Sequence, residues 1–144
     1  MAKWTFMYDL MGNRVPKVAP FPAATDFVGV VGDLVYLSSG KVTKGGASLA
    51  SVLGLLAEEI TTASTEDDPI KVYALAPGMV IRGTADADAS SVVLTNKTMD
   101  INATTQTLDV ADTSNGCLLV YKASGSGSTV VDCLVTEFDL GCVN

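Results

Sequence analysis

The run Val28-Gly29-Val30-Val31-Gly32-Asp33-Leu34-Val35-Tyr36-Leu37-Ser38-Ser39-Gly40-Lys41-Val42-Thr43-Lys44-Gly45-Gly46 decides the fold class. Valines at 28, 30 and 31 lead into a turn at Gly32-Asp33, and Leu34 to Leu37 is an apolar and aromatic strand. Ser38-Ser39-Gly40 turns the chain, Lys41-Val42-Thr43 makes a short strand, and Lys44-Gly45-Gly46 turns it again. Apolar runs this short, punctuated this often, suit paired strands rather than helices.

The same grammar continues downstream. Strands are expected at Ile70–Leu75, Met79–Ile81, Ser91–Thr95, Met99–Ile101, Thr107–Val110, Cys117–Tyr121 and Thr129–Phe138, with a flexible hairpin tip over Ala123–Ser128. Between them lies one ambiguous stretch. Leu49, Val52, Leu53, Leu56, Ala57 and Ile60 fit the helical template, but Gly54 sits at its centre among short strands on both sides. Context favours a buried strand from about Ser51 to Ile60. Thr61–Pro69, with Glu66-Asp67-Asp68, is read as a solvated loop.

Composition agrees. The 144 residues are 48% apolar and 17% charged, with 18 Val and 15 Thr, the β-branched types that suit a pleated surface. The expectation is therefore an all-β protein, a small β-barrel or sandwich body with an extended N-terminal arm. Three segments are read: the arm at 1–25, a barrel-like region at 26–83 and a β-rich C-terminal region at 84–144, packed together. No apolar run is long enough to span a bilayer and no signal peptide is read, so a soluble protein made in a cytoplasm is expected.

There is no histidine. That removes Ser-His and Cys-His nucleophile systems and the commonest metal ligand. The net charge of −7 opposes binding to nucleic acid. Gly40-Lys41 fails as a phosphate-binding loop because Val42 replaces the Ser/Thr. Asp86 and Asp88 lack the later Gly and Glu of a calcium loop and are read as a solvated turn. Cys117, Cys133 and Cys142 have no zinc spacing; a bridge between Cys117 and Cys133 across the last hairpin is conceivable, but free buried thiols are the preferred reading. No catalytic residue, cofactor or metal site is assigned.

The first 25 residues stand apart. Trp4, Phe6 and Tyr8 alternate with period 2, which would aim all three from one face of a strand, and Phe21 follows among Pro16, Pro20 and Pro22. Lys3, Arg14 and Lys17 against Asp9 give this segment a net charge of +2, whereas residues 83–144 carry a net −6. Two readings stay open: a first strand packed on its own domain, or an arm lying on another chain through aromatic anchors.

A stable, catalytically silent β-domain with such a leader resembles the small decoration (cement) proteins of tailed-bacteriophage heads. The resemblance rests on Val31-Gly32-Asp33-Leu34-Val35, Gly40-Lys41-Val42, Val52-Leu53-Gly54-Leu55-Leu56-Ala57 and Ile70-Lys71-Val72-Tyr73-Ala74-Leu75-Ala76-Pro77-Gly78-Met79-Val80, and covers about residues 28–83. It implies a homotrimer on the capsid surface at local three-fold positions, bound to the major capsid protein and stabilising the shell without catalysis. Trp4, Phe6, Tyr8, Arg14, Lys17 and Phe21 are then the expected capsid or partner contacts. The alternatives are another virion part, such as a head-fibre base or tail protein, and a carbohydrate-binding or surface-attachment module.

Overall fold

The computed structural model describes residues 3–46, 51–113 and 116–136. The strands are β1 (Thr5–Asp9), β2 (Lys17–Pro22), β3 (Leu34–Ser38), β4 (Lys41–Lys44), β5 (Gly54–Leu56), β6 (Pro69–Ala74), β7 (Met79–Thr84), β8 (Thr98–Met99), β9 (Leu118–Ser124) and β10 (Val130–Val135). They form two antiparallel five-stranded sheets. One has the order β1-β7-β10-β9-β8, the other β2-β6-β5-β3-β4. The first therefore draws strands from all three segments read from the sequence. The all-β expectation holds, and the architecture is sandwich-like. No helix among the described residues is long and apolar enough to cross a membrane.

The barrel half of the expectation is corrected, because neither sheet closes. β2, carrying Pro20 and Pro22, lacks the N–H groups a central strand needs and ends its sheet. The second sheet curls until Ala23 reaches Val42 through a single parallel bridge, and pairing stops there.

That curl gives the second sheet two buried faces. Leu34 and Leu55 meet the first sheet in the main core, around Trp4, Ile81, Met99, Leu118, Val120 and Val131. Val35, Leu37, Val42, Leu56, Ile70 and Val72 turn the other way into a second core with Ala23 and Phe27. Leu34 to Leu37 is thus apolar throughout because both of its faces are covered.

Gly54 settles the ambiguous stretch. A Cβ there would lie 2.0 Å from the Tyr73 carbonyl oxygen, so the glycine that weakens a helix is what lets β5 lie against β6. The strand is shorter than expected, with isolated bridges carrying Val52 and Ile60 on either side; Leu49 lies outside the described residues. Two other strand expectations are corrected. Thr107–Val110 contributes only bridges at Leu108. Ser91–Thr95 begins inside a 3₁₀ turn over Ser90–Val92 and passes through Leu94 at φ 53°, because its one buried valine, Val92, is reached by a turn rather than by pairing. Thr129–Phe138 is a strand over Val130–Val135, and residues 137–144 lie outside the described ones.

One buried side chain joins the two sheets and the long loop. Gln106 accepts from Leu34 N–H through Oε1 at 2.8 Å and donates through Nε2 to Gly45 O and Ala103 O, both at 3.1 Å. Its own carbonyl accepts from Trp4 Nε1 at 2.9 Å. Gln106→Ala strands the Leu34 N–H and the Gly45 carbonyl away from water, so we expect a loss of ~3 kcal/mol and a fall of roughly 10 °C in melting temperature. Differential scanning calorimetry checks this. Gly54→Ala should be at least as damaging, through the clash with β6.

Candidate functional site

The N-terminal segment builds the site. β1 lies on the edge of the first sheet against β7, and β2 lies on the edge of the second against β6. Residues 10–16 cross between them, so in this chain one short segment closes one side of the sandwich over two sheets. Trp4 is the plug. It is 1% exposed, its N–H donates to Gly32 O at 3.0 Å, and its ring lies on Gly83, where a Cβ would come within 2.4 Å of an indole carbon.

The structure separates the expected contact residues. Trp4 lies inside the chain's own core and presents no ring to another chain. Phe6, half-buried, packs on the same core. Tyr8 does not share its face. The register slips between Phe6 and Tyr8, setting Phe6 opposite Ile81 and Tyr8 opposite Val80, which point to opposite sides of the sheet. The expected single aromatic face is thereby corrected, the bulge at Met7 being the cause. Phe21 packs against the second core. Lys17 is exposed on β2.

Arg14 is occupied within the chain. Its Nε lies 2.6 Å from Asp9 Oδ2, and its Nη2 donates to Asp9 Oδ1 at 2.9 Å and to Pro77 O at 2.8 Å. Asp9 also accepts from the backbone N–H groups of Met11 and Arg14. The guanidinium, helped by those amides, holds the Asp9 carboxyl far below the usual carboxylate range. This bidentate clamp fixes a loop with conspicuously exposed apolar side chains, Leu10 at 45%, Met11 at 74% and Val15 at 66%, beside which Val18 on β2 is 48% exposed.

Beside the loop, the two sheets leave a groove of about 400 Å³. Phe6, Val15, Pro16, Val31, Leu55 and Tyr73 are among its walls, with Trp4 behind them. Val18 and Tyr73 are cross-strand neighbours on its β2–β6 side. Sequence reasoning missed Tyr73, Val15 and Val18, although the exposed-buried alternation of Lys71-Val72-Tyr73 in a strand is the signal that could have placed Tyr73 outward.

The remaining polar candidates settle into structural roles. Lys41 pairs with Asp67 and lies 3.7 Å from Glu66, tying the β3–β4 turn to the acidic loop. Asp86 and Asp88 accept backbone N–H groups of Val110 and Ser90. Among the described residues, no three acidic or cysteine side chains converge as metal ligands. Cys117 and Cys133 are both buried. They do not face each other in the hairpin, because Cys133 stands opposite Val120 while the Cys117 carbonyl accepts from Thr136. Burial pushes the Cys133 thiol up, so it stays protonated. Cys142 lies outside the described residues.

No family model, curated protein or solved structure matches the chain.

Because the folded Asp9 titrates below its unfolded value near 4, the clamp stabilises the fold above that pH and is lost as pH falls through the folded value. Asp9→Asn removes it at every pH. The difference in melting temperature between the native protein and Asp9→Asn should therefore be full at pH 7 and shrink towards pH 2 in a pH series of thermal melts.

Proposed function

We propose that the chain is a capsid decoration protein, seated on the outside of a phage head at local three-fold positions as a homotrimer and acting on the major capsid protein. One observation carries the reading: a loop pinned by a bidentate ion pair holds Leu10, Met11 and Val15 out of the core and into solvent, next to exposed Val18 on β2. A rigid apolar surface of this kind binds a partner without first losing loop entropy. The stretch that resembles decoration proteins, residues 28–83, supports the reading too, since it forms β3 to β6 and most of β7 and so backs the loop with two packed cores.

The mechanism is mechanical. Packaged DNA pushes an expanded shell outward, and a trimer bridging neighbouring capsomers resists their separation. Each contact buries a modest apolar area at about 25 cal/mol per Å². Repetition over the lattice turns weak contacts into a strong clamp through effective concentration. No chemical step is involved in this role.

The test is cosedimentation with expanded, undecorated heads. The native protein should bind saturably and raise the temperature at which the heads release DNA. Leu10→Asp combined with Met11→Asp, at positions that leave both cores untouched, should reduce head binding by at least tenfold with an unchanged circular dichroism spectrum. Native protein that never pellets with heads would refute the role.

A further inference from the structure

We infer that Lys44 and Asp33 become joined by an isopeptide bond, which the folded chain makes between its own side chains. The inference concerns the body of the protein and stands apart from what the chain binds.

Asp33 sits where a carboxylate is poorly served. The residue is 1% exposed. Its Oδ2 stands beside Gly29 together with Leu56 and Phe27, two members of the second core. Oδ2 accepts from Val30 N–H at 3.0 Å and lies 3.3 Å from Lys44 Nζ. Oδ1 is different. Alone among the buried side-chain oxygens and nitrogens of the described residues, it has no hydrogen-bond partner. A buried carboxylate with one oxygen unmet carries a desolvation cost that an exposed ion pair escapes.

The other ion pairs among the described residues each lack an ingredient. Arg14 and Arg82 bring guanidinium groups, which stay charged and are poor nucleophiles. Lys41 brings an amine, but its partners Glu66 and Asp67 are exposed. Lys44 brings a primary amine to a buried carboxyl, and both residues are held by the main chain. Asp33 N–H donates to Val30 O at 3.1 Å, and its carbonyl accepts from Leu56 N–H at 2.8 Å. Lys44 ends β4 opposite Val35, and the next residue, Gly45, donates to Leu34 O at 2.7 Å. The fold thus supplies the proximity and orientation that a reaction between free side chains would lack.

The step balances within the pair. A proton passes from the ammonium to Oδ1, and the Lys44 amine attacks Asp33 Cγ. The Nζ–Cγ bond forms while Val30 N–H stabilises the charge developing on Oδ2. The Cγ–Oδ1 bond then breaks, and Oδ1 departs as water with two of the three ammonium protons. The third stays on the amide nitrogen. The oxygen lost is the one without a partner, and the oxygen kept is the one already bonded to Val30. Lys44 also lines a recess of about 260 Å³ with Thr25, Asp26 and Thr43, through which that water leaves. The product ties the start of β3 to the end of β4, the outermost strand of its sheet.

The test is the mass of the denatured full chain. It should be one water lighter than the sequence, and hydroxylamine, which opens a cyclic imide but not an amide, should leave it unchanged. Trypsin should release 18–41 and 42–71 as one branched peptide, because the amide blocks cleavage after Lys44. Lys44→Arg, which keeps the cation, should show its full sequence mass. It should also melt roughly 5–10 °C lower, as expected for losing a cross-link over so short a loop.

A native chain at its full sequence mass overturns the inference, and does so even if Lys44→Arg fails to fold. A water loss that hydroxylamine reverses, or that persists in Lys44→Arg, overturns it as well. Cosedimentation with heads is read separately, so either proposal can fail without the other.

Discussion

Gln106 is the residue on which the two-sheet arrangement depends. A buried primary amide offers two donors and an oxygen acceptor, and leaving them unmet in a core costs more than the bonds themselves contribute. Here its side chain is fully engaged, by Leu34 on one strand and by Gly45 and Ala103 on two loops. Its backbone carbonyl takes the Trp4 indole as well. The residue sits at φ 58°, so the loop from Ala103 to Thr107 bends around the amide it supplies. Sheet stacking is non-directional apolar contact; this node supplies the direction. It fixes where β3 begins, where the chain leaves β4, and where the N-terminal segment must come to rest.

That node was not legible in the sequence. Ala103-Thr104-Thr105-Gln106-Thr107 reads as a polar loop, and nothing in its pattern tells a buried glutamine from a solvated one. The strands were more legible, because Leu34–Leu37, Ile70–Leu75 and Cys117–Tyr121 announce themselves by β-branched and apolar runs between turns. The bounds of short strands were less legible: β8 has two residues, Thr98–Met99, against the expected Met99–Ile101, and β5 fills only Gly54–Leu56 of the strand expected over 51–60, being decided by a single close approach at Gly54. The aromatic leader was half legible. Its extended character follows from the prolines and the alternation at Trp4, Phe6 and Tyr8, but one extra residue at Met7 divides the aromatics between faces, and a bulge leaves no mark in composition.

The same limit applies to the candidate site. Trp4 and Arg14 drew attention as conspicuous residue types, and both are consumed by the fold. The surface that remains is made of ordinary residues, Val15, Val18 and Tyr73, whose significance is positional. An exposed valine is unremarked singly; Val15 on a loop that cannot collapse inward, beside Val18 on β2 and Tyr73 on β6, makes a surface. The Asp9–Arg14 clamp is therefore the link between charge and apolar exposure, since it keeps the loop from folding over its own groove.

The Trp4–Gln106 bond spans 102 positions of the chain. At a translation rate of ~5–20 residues per second, Trp4 emerges roughly 5–20 s before its partner exists. β1 waits similarly for β7, and β7 for β10, so the first sheet assembles from strands far apart in the order of synthesis. High contact order of this kind slows folding. During that interval the leader is a bare apolar strand with an unpaired edge. Its most dangerous period for misassociation comes on the ribosome, before there is a sandwich for it to close.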